Sequence, residues 1–181
     1  MHGTENPSAW LQRWAHLIAP GSRVLDVACG AGRHMRWLAA QGHQVQGVDR
    51  NPDALALAQA FGPVTCADIE NGPWPFAGQT FGCVVVTNYL WRPLLPVIVR
   101  SVSPGGVLIY ETFATGNESV GKPSRPDFLL QAGELLQASD GLHTVAYEDG
   151  FESSPDRFVQ RIAAVRPVTS GTVQRWPLRA P

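Results

Sequence analysis

Val24-Leu25-Asp26-Val27-Ala28-Cys29-Gly30-Ala31-Gly32 is the stretch whose reading decides the fold. Its first half is a short apolar run carrying one acid, the pattern of a buried parallel strand. Its second half is a glycine-bearing turn, after which residues 33–40 have helical character up to Gly42. A strand that turns through glycines into a helix leaves unpaired N–H groups at the helix start and room for a ligand against the backbone. An ordinary tight strand-to-helix turn has the same pattern, so the flanking chain has to decide.

Upstream, Trp10, Leu11, Trp14, Leu17 and Ile18 fall at helical spacing behind Asn6-Pro7, which predicts a helix within residues 1–21 that Pro20-Gly21 stops. Downstream, residues 44–49, 64–67, 81–87 and 107–113 read as strands. Helices are expected from Asn51-Pro52 onward and over residues 90–102, the latter disturbed by Pro93 and Pro96. Pro104-Gly105-Gly106 reads as a turn, residues 114–126 as a polar loop and candidate lid, and Asp127 as the cap of a helix reaching Ala138. Residues 142–150 and 157–166 form two strands with no helix between them, hence a hairpin, and the tail 167–181 is an edge extension or a disordered end. Strands alternating with helices predict an α/β fold: a doubly wound, mostly parallel sheet with a C-terminal antiparallel hairpin, in one domain over residues 1–181.

Composition narrows the function. The chain has 181 residues, 44% hydrophobic and 16% charged, which excludes a disordered tail or a coiled coil. A net charge of −1, from 14 basic and 15 acidic residues, argues against an extended surface for nucleic acid or anionic membrane. The basic set is arginine except for Lys122. Three cysteines, Cys29, Cys66 and Cys83, lie in apolar strand-like runs without a CxxC pair, and read as buried, reduced thiols of a cytoplasmic protein with no metal site. Residues 1–8 lack the apolar core of a leader, and the longest apolar run, residues 94–99, contains Pro96 and is too short for a bilayer.

Two further acids stand at strand ends. Asp49 closes Val45-Gln46-Gly47-Val48-Asp49 and either accepts the two hydroxyls of a ribose or caps the next helix. Asp68-Ile69 after the third strand either meets the amine and ring of an adenine or is a solvated turn. A nicotinamide or flavin dinucleotide site is disfavoured, because Met35 stands at the third glycine position of GxGxxG. The glycine turn, Asp49 and Asp68 all lie at the C-terminal ends of successive strands, the edge at which open α/β sheets bind ligands.

At this point the sequence resembles the class I S-adenosylmethionine-dependent methyltransferases. The resemblance rests on LDVACGAG at residues 25–32, GVD at 47–49, AD at 67–68 and SPGGVLI at 103–109, and covers residues 23–134. It implies a seven-stranded Rossmann-like sheet and S-adenosylmethionine as cofactor, with S-adenosylhomocysteine as product. It further implies that Asp26, Ala28, Cys29, Gly30 and Gly32 hold the methionine part, Asp49 the ribose and Asp68-Ile69 the adenine, with Arg50 and Asn88 also at the cofactor. Ala28 and Cys29 replace the first glycine of the family's motif and its neighbour. A looser resemblance, through residues 38–49 and 126–136, is to the tellurite-resistance and thiopurine-type small-molecule methyltransferases.

The sulfonium is an activated donor, so no catalytic dyad is required, and Tyr89, Glu111 and His34 are candidates only. His34 either faces the donor or serves as a solvent-facing or capping residue, while His16 and His43 read as surface groups. Glu111 is a base, a substrate ligand or a polar strand end. On the substrate side, Tyr89, Trp91 and Arg92 follow the fourth strand, and Lys122 and Arg125 lie in the long loop where an anionic acceptor would meet them. Asn88 is not followed by the Pro-Pro-aromatic motif of nucleic-acid amino-methyltransferases. The expected activity is methyl transfer to a small molecule such as a thiol, a metalloid or a small acid, with no nucleic-acid or membrane partner. An RNA or protein methyltransferase, marked by a basic groove beside Tyr89, and a non-catalytic cofactor-binding subunit are the alternatives.

Overall fold

The computed structural model describes residues 6–169 and 173–180. Seven strands, β1 Arg23–Val27, β2 Gln44–Asp49, β3 Val64–Cys66, β4 Phe81–Thr87, β5 Val102–Phe113, β6 His143–Glu152 and β7 Arg157–Val165, form one sheet in the order β3-β2-β1-β4-β5-β7-β6. The first five strands run parallel, and β7 enters antiparallel between β5 and β6. This is the mostly parallel, doubly wound sheet with a closing hairpin that the alternation of elements predicts.

Both faces of the sheet are covered, which is why β4 reads as an unbroken apolar run. Cys83 and Val85 face one core layer with helices α1 Ala9–Trp14, α2 Arg33–Ala40 and α3 Pro52–Ala58. Val84 and Val86 face the other, with α4 Leu95–Arg100 and α5 Glu134–Ala138. α1 is anchored over the hairpin side by the Trp10 indole N–H, which donates to the Ile162 carbonyl at 3.1 Å.

The structure departs from the sequence reading where side chains from distant segments compete with local pattern. The first helix is shorter than expected and is capped by Ser8, not by Asn6-Pro7; the Ser8 hydroxyl accepts from the amides of Trp10 and Leu11. Residues 90–102 yield a 3₁₀ turn at Arg92–Leu94 and the six-residue α4, because each proline is accommodated only at the start of a helical segment. The expected turn at Pro104-Gly105-Gly106 is instead an irregularity inside β5, whose pairing to β4 jumps from Phe81–Val102 to Cys83–Val107. The β7 side holds it in place, since the Gly105 amide donates to the Arg166 carbonyl and the Arg166 amide to the Gly106 carbonyl. Asp127 lies within a short 3₁₀ turn, Pro126–Phe128, and only Glu134–Ala138 of the expected helix forms. Leu130 between them pairs with Ala114.

The candidate lid, residues 114–126, is fastened through the buried Asn117. Its side-chain amide donates to the Pro123 carbonyl at 3.0 Å, and its oxygen accepts from the Phe158 amide at 3.2 Å. The described part of the tail folds back, with Trp176 stacked on His143 at 4.1 Å. His16 is partly buried, its ring bridging the Arg13 and Pro177 carbonyls, so it is not the free surface group expected. His43 is likewise partly buried, which lowers its pKa. The expectations for residues 1–5, 170–172 and 181 lie outside the described residues. Among the described residues no helix is long and apolar enough to cross a membrane.

Candidate functional site

Strand order reverses at β1, whose neighbours are β2 and β4, so the chain opens above the C-terminal ends of these strands. Three adjoining cavities fill that opening. One of about 190 Å³ is lined by Ala28, Asp49, Arg50, Ala67, Asp68, Ile69, Glu70 and Tyr89. One of about 180 Å³ follows the turn at residues 28–31 and reaches Arg33, His34, Thr87 and Asn88. One of about 290 Å³ lies between Glu70, Asn88, Tyr89, Leu90, Thr112, Phe113, Pro123 and Phe128. The first two share Ala28, the second and third share Asn88, and the first and third share Glu70 and Tyr89, so together they form one branched cleft. A larger cavity of about 500 Å³ lies between α4 and α5, away from the strand ends.

The turn is built from two glycines with different tasks. Gly30 has φ +53°, and a side chain there would meet no atom within 4 Å, so its backbone borders open space. Its amide donates to Asp49 Oδ2 at 2.8 Å, which ties β1 to β2 across the cleft. Gly32 has φ +79°, and a Cβ there would lie 2.9 Å from the Ala58 Cβ; its missing side chain serves the contact of α2 with α3. Gly32 does not line the cleft.

Asp49 and Asn51 divide the roles that the sequence left open. Asn51 caps α3 by accepting from the amides of Asp53 and Ala54. Asp49 accepts from Gly30 and, through its other oxygen at 2.9 Å, from the Asn51 amide, which fixes its carboxylate at the cleft wall. A carboxylate has about four acceptor positions, so both oxygens keep capacity for a ligand. Asp68 is held by Asn71: the Asn71 side-chain amide donates to Oδ2 at 2.9 Å, and the amides of Asn71 and Glu70 donate to Oδ1. These bonds, the Asn71 side chain first, hold the Asp68 carboxyl below the usual carboxylate range. Ile69 beside it is buried and lines the same cavity.

Asp26 and His34 sit below the turn and are almost completely buried. His34 Nδ1 lies 3.7 Å from Asp26 Oδ2 and 3.5 Å from Thr87 Oγ1. Asp26 Oδ2 and His34 Nε2 have no hydrogen-bond partner. His34 is therefore neither solvent-facing nor a cap, and it lines the cleft. Orphaned polar atoms in a buried site are costly, and a polar ligand end bound beside them offsets that cost. The Tyr89 hydroxyl is buried with no hydrogen bond of good geometry, and burial first, then the Glu70 carboxylate beside it, raises its pKa. The carbonyl of Tyr89 accepts from the Tyr110 hydroxyl at 2.8 Å, which pins this wall to β5.

Several expected site residues are committed elsewhere. Glu111 is 3% exposed and faces α1, not the cleft; it accepts from Ser8 Oγ at 2.9 Å and is paired with Arg161. Arg92 donates to Glu134 and to the carbonyls of Asp127 and Leu129, clamping residues 127–134. Trp91 packs half-buried against the core. Lys122 and Arg125 are exposed, and Arg125 is paired with Asp127 at 2.9 Å; neither lines the cleft. The sequence reading missed Glu70, Thr87, Thr112, Phe113, Pro123 and Phe128. Phe113 ends β5 at the ligand-binding edge, a signal available in advance, whereas Pro123 and Phe128 arrive only through the loop's tertiary path.

Cys66 is exposed, contrary to the expectation that all three thiols are buried, because β3 is a short edge strand. Burial raises the pKa of Cys29 and Cys83. A thiol-specific reagent should modify one equivalent, Cys66, in the native protein, and all three thiols only after denaturation. Peptide mapping that finds Cys29 or Cys83 labelled at a comparable rate would contradict this burial.

Comparison with known proteins bears on the whole arrangement. A family model described as a methyltransferase domain matches residues 24–106. The malonyl-[acyl-carrier protein] O-methyltransferase of Serratia marcescens is 31% identical over 131 residues, 67% of this chain and 46% of that protein. The ubiquinone biosynthesis O-methyltransferase of Burkholderia pseudomallei is 42% identical over 115 residues, 58% of this chain and 49% of that protein. The chain thus spans about half the length of these curated relatives. A TehB-like S-adenosylmethionine-dependent methyltransferase from Corynebacterium glutamicum shares the fold at TM-score 0.66 and 18% identity, with 90% of each chain covered. The matched segment runs from β1 into β5 and carries Gly30, Asp49, Asp68 and Asn88 around one cleft at the sheet's ligand-binding edge, so the part of the chain that is similar to a methyltransferase domain is the part that builds the cleft.

Proposed function

We propose that the protein binds S-adenosylmethionine in the arms of the cleft around Asp49 and Gly30, and transfers its methyl group to a small molecule held in the arm of Phe113 and Phe128, with S-adenosylhomocysteine as product. The observation that carries this reading is the junction: both arms meet at Asn88 and Tyr89, so a donor in one and an acceptor in the other come face to face. Bound there, the sulfonium supplies a methyl group already activated for in-line displacement. The chain's own work is positioning and exclusion of water. Asp49, oriented by the Gly30 and Asn51 amides, suits a ribose diol; Ile69 and Asp68 suit an adenine face and edge; His34, which lines the cleft with its Nε2 unpartnered and Asp26 buried behind it, suits the polar methionine end. Tyr89 divides the arms. Glu111, buried and paired with Arg161, takes no proton from the acceptor.

A macromolecular acceptor would call for a basic groove beside Tyr89; among the described residues none that lines the acceptor arm is basic, and Arg50 in the adjoining arm stands among Asp49, Asp68 and Glu70. The three free thiols accord with a reducing, cytoplasmic setting, which is part of the proposal. Calorimetric titration tests the reading. S-adenosylmethionine and S-adenosylhomocysteine should bind in the micromolar range and NAD should not. Asp49→Ala should weaken both by about ten- to a hundredfold, the worth of one or two charge-assisted hydrogen bonds. Binding of NAD in place of the two sulfur ligands would refute it.

A further inference from the structure

We propose that the acceptor arm is built for a small cationic amine with an apolar, ring-sized body, rather than for an anion. This rests on the methyltransferase reading of the cleft and narrows its substrate class. The arm holds about 290 Å³ and is lined by three aromatic residues, Tyr89, Phe113 and Phe128, with Leu90 and Pro123 and the uncharged polar Asn88 and Thr112. Aromatic faces attract a cation and repel an anion. Among the described residues, Glu70 is the one charged residue of this lining. Its carboxylate stands beside the Tyr89 hydroxyl, at the boundary with the donor arm.

The charged groups around this point favour a positive guest. Asp49 and Asp68 line the adjoining arm together with Arg50, so carboxylates outnumber guanidinium groups there. Arg33 and His34 lie in the other arm, the one that follows the turn at residues 28–31. Lys122 and Arg125, the cations that an anionic acceptor would need, are on the outside of the loop whose Pro123 and neighbouring Phe128 form the wall. Arg125 is already spent on Asp127 and the Phe128 ring. An ammonium group bound at Glu70 would gain one charge-assisted hydrogen bond and the aromatic faces together; for transfer it gives one proton to the Glu70 carboxylate, and the freed nitrogen lone pair forms the N–CH3 bond as the S–CH3 bond breaks and S-adenosylhomocysteine leaves. A carboxylate in the same place would meet Glu70 with like charge and find no compensating cation in the lining.

The test uses three probes of nearly one shape, benzylamine, benzyl alcohol and phenylacetate, titrated into the full chain saturated with S-adenosylhomocysteine. Binding of S-adenosylhomocysteine is measured first; its absence refutes the methyltransferase reading, whereas the three probes judge the amine preference alone. With the cofactor product bound, benzylamine should bind about tenfold more tightly than benzyl alcohol, the worth of one charge-assisted hydrogen bond, and phenylacetate more weakly than either. Glu70→Gln should remove the preference of amine over alcohol. Phe128→Ala, at an exposed position that leaves the core intact, should weaken both the amine and the alcohol. Tighter binding of phenylacetate, an amine preference that survives Glu70→Gln, or failure of all three probes to bind would overturn the proposal.

Discussion

Arg161→Ala should lower the unfolding free energy by about 3 kcal/mol, the scale of breaking a buried ion pair by removing one partner. For a chain of this length that corresponds to a fall in Tm on the order of 10 °C. The cause is Glu111 on β5, whose side chain is 4% exposed and stands directly across the ladder from Arg161 on β7. Arg161 also donates to Glu152 at 2.7 Å and to Glu148 at 3.3 Å, while Arg157 reaches Glu152 at 2.6 Å and Arg13 of α1 reaches Glu148 at 2.8 Å. Glu152 and Glu148 are open enough to water to tolerate the loss, with side chains 35% and 42% exposed. Glu111 is not, and keeps only the Ser8 hydroxyl and Arg157 at 3.9 Å. The double variant Glu111→Leu with Arg161→Met should recover most of the loss, since it removes the stranded charge with its partner. Urea unfolding measures both, and a loss below about 1 kcal/mol for the single variant would mean that water already screens this pair.

Gly30→Val should reduce affinity for S-adenosylhomocysteine by more than about a hundredfold while the protein still melts cooperatively. A β-branched residue at φ +53° is strained, which distorts the amide that holds Asp49, and its side chain enters space that no protein atom occupies. Two positions on, Gly32→Ala should act chiefly on stability, by about 2–3 kcal/mol, because the added methyl meets Ala58 and the backbone there is also left-handed. Calorimetry beside thermal melts separates the two variants. Equal loss of affinity at equal stability in both would show that the two glycines do not have separate tasks.

This contrast shows how far a motif can be read. GAG marks a ligand-facing turn in sequence, but only the position of Ala58 on α3 reveals that its second glycine serves helix packing. Asp49 and Asp68 were legible as cleft acids because a strand end is a local feature and the sheet's ligand-binding edge follows from parallel topology. Glu111 shows the same rule failing. It too stands near a strand end, yet alternation along β5 points it away from the Tyr110 layer toward Ser8 and Arg161. Its face depended on register, and its role on an arginine 50 residues further along the chain.

By itself, the sequence determined the strand–helix alternation, the parallel sheet with its closing hairpin, and the placing of the glycine turn, Asp49 and Asp68 at the sheet's ligand-binding edge. These follow from hydrophobic period, proline and glycine positions and strand ends, all of which act over a few residues. Only the tertiary structure decided which long side chains are free for chemistry. Arg92 and Glu111 each find an opposite charge brought near by folding, and the cleft arm beyond Tyr89 is assembled from residues 70, 88–90, 112–113, 123 and 128. A charge's partner and a cavity's walls come from segments that meet only after the chain has collapsed, so no local pattern records them.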